Sequence, residues 1–310
     1  MGGTRAIRGA VAAAAAALLL GTAACGASTP APPADSSPRV ESASSAAAPT
    51  PPELPRGGRV LFPGQRLVAL YGTDDGGGLG ALGVGTPDQA AVRLEQQAAA
   101  YARPGRPVLP VMEMIVTVAD PTPGPGGCYS HPIADADVDR YLAAARAHRQ
   151  MLVLDVQPGQ CPFLPQVQRW TRFLTQPDVG LALDAEWRMP SGVVPGTQIG
   201  TVSGGEVNGV VTWLADLTRR GALPQKPLVL HQFTPDMITG RGGVLTPPEL
   251  ALIAHTDGFG TTGTKVRKYA ELADPRMHPG FKVFYRQDIG VMNPAQVLAL
   301  APSPDYISYQ

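Results

Sequence analysis

The chain has 310 residues, 44% of them hydrophobic and 16% charged, and its 25 basic and 25 acidic residues cancel. Zero net charge with no basic block argues against nucleic acid as a partner. Three cysteines, without a CxxC or a His/Cys cluster at metal spacing, give no reason to expect a metal or any other cofactor.

The first element in chain order is a short basic region, Arg5 and Arg8, followed by the apolar run from Ala10 to Leu20 and then Gly21-Thr22-Ala23-Ala24-Cys25. That order is expected of a secretory signal, and the run is too short to span a bilayer comfortably. Its end resembles a bacterial lipobox, with Thr22 where an aliphatic residue is commoner. The resemblance implies a lipidated Cys25 as the mature N-terminus, holding the protein to the membrane on its extracytoplasmic face. Residues 25–58 are mostly Ala, Ser, Pro and Thr and read as an extended tether. The expected organisation is a signal over 1–24, the tether over 25–58 and one folded domain over 59–310, acting as a monomer. Cys128 and Cys161 remain as an even pair, which in an exported protein predicts a disulfide.

Within the folded part, short apolar runs alternate with helical stretches. Strands are predicted at 67–71, 108–115, 151–157, 181–187, 227–233, 281–288 and 306–310, with a weaker one over 250–257. Helices are predicted at 88–103, 135–149, 165–174, 206–220 and 294–300. Strands alternating with helices over this length fit a (β/α)₈ TIM-like barrel, with the last strand closing on the first. Pro110 is awkward inside a central strand. The glycine-rich loop 72–85 lacks G-x-x-x-x-G-K-[ST] and reads as a rim loop, and no G-x-S-x-G elbow occurs.

In such a barrel the C-terminal strand ends carry the chemistry. They hold Tyr71, Glu113, Asp155 and Gln157, Asp184 and Glu186, His231 and Gln232, Asp257, Tyr285 and Gln287, and Tyr309. Alternation along a strand puts Asp184 and Glu186 on one side. Two adjacent carboxyls cannot both ionise freely, so Glu186, beside Trp187, is the expected general acid. Asp184 is expected to stay ionised as its helper, with Asp155 as a further catalytic carboxylate. The other rim residues are expected to bind substrate. Asp257, in Asp257-Gly258-Phe259-Gly260, also fits a simple turn.

Leu181-Ala182-Leu183-Asp184-Ala185-Glu186-Trp187 resembles the fourth-strand D-x-E of barrel glycoside hydrolases, such as family 18 chitinases and family 25 lysozymes. The resemblance implies Glu186 as acid and Asp184 as helper. The longer D-x-x-D-x-D-x-E of family 18 has Val179 and Ala182 at its first two acid positions here. The Ala/Gly/Pro-rich character and the lipobox also resemble actinobacterial lipoproteins. Together these features give the expectation of a membrane-anchored glycoside hydrolase acting on cell-envelope glycan. The alternative is a non-catalytic glycan-binding or scaffold lipoprotein, in which the cleft is filled or Glu186 is locked against Arg188.

Overall fold

A computed structural model describes residues 50–310. The predicted signal, Cys25 and the tether up to residue 49 lie outside the described residues. Eight parallel strands close into a barrel. They are β1 (Arg66–Gly72), β2 (Val108–Ala119), β3 (Met151–Val156), β4 (Val179–Asp184), β5 (Lys226–Gln232), β6 (Leu250–Thr256), β7 (His278–Val283) and β8 (Tyr306–Tyr309). Each pairs with the next, and β8 pairs back onto β1 through Leu67↔Tyr306 to Leu70↔Tyr309. The helices are α1 (Pro87–Ala99), α2 (Asp135–Ala147), α3 (Phe163–Gln168), α4 (Thr171–Leu174), α5 (Gly204–Arg220), α6 (Thr262–Leu272) and α7 (Pro294–Leu298). None of them is long and apolar enough to cross a membrane.

Strand alternation divides the side chains into two sets. Outward residues such as Leu154, Leu181, Leu230 and Phe281 pack under the helices with Tyr141, Trp170 and Leu214. Inward residues of the lower lumen, among them Ala69, Val111, Val153, Ala182, Val229 and Ile253, form a second apolar cluster. Leu54, Leu61 and Phe62 join that cluster from below, so the body begins before residue 59 and absorbs the end of the predicted tether. Arg56 donates to the Val108 carbonyl at 3.0 Å from this same segment. Pro110 removes no ladder bond, because pairing of β2 with β3 begins only at Val111.

Several boundaries move for local reasons. The predicted strand 281–288 is displaced to His278–Val283, and Phe284 to Asp288 form the turn that follows. The predicted fourth strand stops at Asp184, and Ala185–Trp187 make one 3₁₀ turn. The predicted helix 165–174 breaks into α3 and α4. Helix α6 was absent from the prediction because its buried face is Lys265, Tyr269 and Leu272. That lysine is buried by donating to Asp288 at 2.6 Å and to the Lys282 carbonyl at 2.8 Å.

Cys128 and Cys161 form the expected disulfide, joining the loops after β2 and β3. Gly159 lies beneath it at φ +62°, where a Cβ would come within 2.0 Å of the Cys128 carbonyl oxygen, so only glycine fits. The bridge closes a loop of 33 residues. Replacing both cysteines by serine is therefore expected to lower the unfolding free energy by about 3–4 kcal/mol in the chain-entropy picture. Denaturant unfolding of residues 50–310 measures this, and a loss below about 1 kcal/mol contradicts it.

Candidate active site

Above the apolar layer the lumen turns polar, because the inward position near the end of nearly every strand carries a hydrogen-bonding group. Tyr71, Glu113, Asp155, Asp184, His231, His255, Lys282 and Ser308 are all at most 3% exposed. His231 sits at the centre. Its Nδ1 lies 2.8 Å from Asp257 Oδ2 and its Nε2 lies 2.8 Å from Glu113 Oε1. The second Glu113 oxygen accepts from Tyr306 Oη at 2.9 Å. Burial alone would push the imidazole pKa down, but the two flanking carboxylates overrule it and hold His231 well above its ordinary value. His231 therefore favours its protonated form, clamped between two carboxyl groups.

His255 stands edge-on to His231 with ring centroids 5.0 Å apart. Burial and the neighbouring His231 charge push it well below the ordinary histidine value, so it stays neutral, bonded through Nε2 to Ser308 Oγ at 2.8 Å. Asp184, His231 and Asp257 bring possible ligand atoms within 4.8 Å of one another. Both His231 nitrogens are committed to carboxylates, so this trio is arranged for holding protons and charge rather than a metal ion.

The carboxyls divide into two groups. Burial would raise Asp257, but the hydrogen bond and charge of His231 keep it below the usual carboxylate range and ionised. Burial, followed by the Asp155 and Glu186 charges, pushes Asp184 well above that range. Burial raises Asp155 to about 6, and its Oδ2 accepts from Tyr71 Oη at 2.9 Å. Glu186 is pushed up to about 7 by burial and then by the Asp257 charge. The expected division of roles therefore changes. Asp184 holds a proton, and the ionised partner of Glu186 is Asp257.

A cleft of about 390 Å³ opens over this floor. Tyr71, Gln157, Asp184, Glu186, Asp257 and Gln287 line it, so the structure brings these predicted residues together. Glu113, Asp155 and His231 lie beneath them as supports. Two other predicted contacts belong to the scaffold. Gln232 points outward from β5 and donates to the Thr234 and Pro235 carbonyls. Tyr309 points outward from β8, where its hydroxyl pairs with that of Tyr101. Tyr285 stacks on Tyr309 at 5.2 Å and faces a side pocket over the glycine-rich loop.

Glu186 arrives by a different route from simple strand alternation, since it lies in the 3₁₀ turn after β4. Gly200 N donates to its carbonyl at 2.6 Å and fixes that turn. Arg188, two residues on, is drawn away to Glu206 at 2.9 Å. Glu206 also accepts from Phe163 N at 2.9 Å, and its own N–H is capped by Ser203 at the start of α5. Among the described residues the Glu186 carboxyl has neither a cationic partner nor a hydrogen-bond donor in contact.

Lys268, Lys282, Trp187, Phe233, Phe259 and Phe284 also line the cleft. Sequence reasoning passed over them, except Trp187 as a neighbour of Glu186. A lysine inside the apolar run Phe281-Lys282-Val283 was the available signal for Lys282. Only 6% of the chain is aromatic, yet these rings gather here, and Phe259 is 62% exposed at the mouth. No known protein family matches the chain, and no curated protein sequence matches it.

Carboxyls that hold protons when folded but lose them when unfolded weaken the fold as pH rises. Between the unfolded carboxyl value of about 4 and the folded value of about 7 for Glu186, the native state binds more protons and stability falls. His231 acts in the same sense at higher pH, while Asp257 contributes stability that is lost only as pH falls through its depressed value. Glu186→Gln is thus expected to raise the melting temperature by about 2–6 °C at pH 8 and to leave it unchanged near pH 4.5. Thermal unfolding at the two pH values checks this, and equal shifts at both contradict it.

Proposed function

We propose that this chain is an exported glycoside hydrolase, held to the membrane through Cys25, that cleaves cell-envelope polysaccharide by general acid catalysis. The observation that carries the reading is Glu186. It lines an open cleft, is free of Arg188, keeps its proton to about pH 7 and faces an ionised Asp257. One carboxyl held neutral beside one held charged is the division of labour that glycosidic bond cleavage uses.

In the proposed reaction the Glu186 proton passes to the glycosidic oxygen as the C–O bond breaks, and the leaving sugar departs as an alcohol. Positive charge grows on the anomeric carbon and ring oxygen, and the Asp257 carboxylate meets it. Asp257 Oδ2 is held by His231, while Oδ1 has no hydrogen-bond partner. Water then bonds to the anomeric carbon, leaving its hydroxyl there and giving its proton to the Glu186 carboxylate, which restores the acid. Protonated Asp184, with Gln157 Nε2 3.5 Å from its Oδ2, offers hydrogen bonds to sugar hydroxyls. Trp187, Phe233, Phe259 and Phe284 offer apolar faces to sugar rings. Asp155 and Glu113 act through Tyr71 and His231 as positioning residues.

Residues 50–310 are expected to release reducing ends from envelope polysaccharide. Glu186→Gln and Asp257→Asn should each lower kcat by about 10²–10⁴-fold with folding intact. The wild-type kcat/KM should fall above about pH 7 as free Glu186 loses its proton. Equal product release by wild type and Glu186→Gln, or none by either, overturns the assignment.

A further inference from the structure

Lys282 is the cation of the upper lumen that the proposed cleavage leaves unused. Its strand neighbours Phe281 and Val283 point outward into the helix layer, so alternation turns Lys282 inward. It is 3% exposed and lines the cleft. Its Nζ lies 3.4 Å from the centroid of the Tyr71 ring and 5.3 Å from that of Phe284.

The other buried lysines are saturated. Lys226 donates to the Gln176 and Val179 carbonyls at 2.7 Å, and Lys265 to Asp288 at 2.6 Å. Lys282 differs from both: among the described residues no oxygen accepts from its ammonium and no carboxylate pairs with it. Of the acids around it, Asp257 gives Oδ2 to His231, Asp155 gives Oδ2 to Tyr71, and Glu113 gives its two oxygens to His231 and Tyr306, while Asp257 Oδ1 and Asp155 Oδ1 stay without a partner and make no ion pair with Lys282. A second lysine, Lys268, lines the same cleft, and among the described residues only the Phe233 carbonyl accepts from it, at 3.1 Å.

A buried amine with no oxygen acceptor in contact is costly, and aromatic faces offset only part of that cost. The open side of Lys282 is the cleft itself. We propose that the glycan bound here carries an anionic substituent, a carboxylate or a phosphate, and that Lys282 Nζ is its receptor, with Lys268 as a second cation. The proposal rests on the reading that the cleft binds glycan. Such an oxyanion would complete a charge-assisted hydrogen bond that a sugar hydroxyl makes only weakly. Asp184 and Glu186 are displaced toward their protonated forms, and the charge of Asp257 is answered by His231, which limits the repulsion an anion meets from the floor.

The test is calorimetric titration of residues 50–310 carrying Glu186→Gln, so that binding is read without cleavage. The probes are an oligosaccharide containing glucuronate, its carboxyl-reduced neutral form, and a sugar–glycerol phosphate oligomer. One anionic probe is expected to bind about tenfold or more tighter than the neutral form. Lys282→Met should abolish that preference and Lys282→Arg should keep most of it, both with unfolding temperatures close to that of the parent. The arm that responds distinguishes carboxylate from phosphate. Equal binding of neutral and anionic forms, equal weakening of both by Lys282→Met, or no binding of any probe overturns the proposal. A charge preference in a protein that cleaves nothing overturns the hydrolytic reading alone.

Discussion

A single protonated imidazole organises the upper half of this barrel. His231 is completely buried, and it keeps a positive charge there because Glu113 and Asp257 flank it at 2.8 Å on its two nitrogens. Removing either carboxylate would leave His231 a single partner and lower its hold on a proton, so the proton occupancies of the trio are set together. Closure of the barrel supplies the geometry, since His231 stands on β5 and Asp257 at the end of the neighbouring strand β6, and Glu113 reaches His231 from β2 across the lumen. The ionised state of Asp257 follows from that clamp. So does the elevated pKa of Glu186, which feels burial first and the Asp257 charge next.

The lumen as a whole is a graded medium. Its lower part is dry and aliphatic and is plugged by Leu54, Leu61 and Phe62. Its upper part packs acids, histidines and a lysine into a volume with little water, where each charge must be answered by a neighbour or given up. Asp184 gives its charge up, Asp155 is steadied by Tyr71, Asp257 and Glu113 are bonded by His231, and Lys282 faces the cleft over an aromatic ring. This arrangement sacrifices stability at neutral pH for a floor of carboxyls with different proton occupancies. That is the pattern expected where chemistry, rather than packing, has selected the residues.

Much of this was legible in the sequence. The rhythm of apolar runs and helices was enough for the barrel, and its closure by Tyr306 to Tyr309 followed from the last run. Strand-end position alone picked out Glu113, Asp155, Asp184, His231 and Asp257. It misled where register mattered. Gln232 and Tyr309 sit at strand ends but on outward positions, and one residue of phase decides between scaffold and cleft. Strand alternation points to Glu186 but ends two residues before it, and Glu186 reaches the cleft through a turn fixed by Gly200. Proton occupancies could not be read locally, because they depend on groups brought together from strands far apart in sequence. Asp184 was expected to be charged on a pairwise argument, whereas the full lumen leaves that role to Asp257. Helix α6 escaped notice because a lysine occupies its buried face, an interaction visible only once Asp288 is opposite it.

Glu186 retains its proton close to neutrality because it is buried and an ionised Asp257 lines the same cleft. Carbon-detected NMR titration of glutamate side chains in residues 50–310, with Glu186→Gln to assign the resonance, measures this directly. A midpoint at about 7 is expected for Glu186, falling toward the ordinary carboxylate range in Asp257→Asn. A midpoint near the model-peptide value of about 4.3, or one unmoved by the Asp257 substitution, would contradict it.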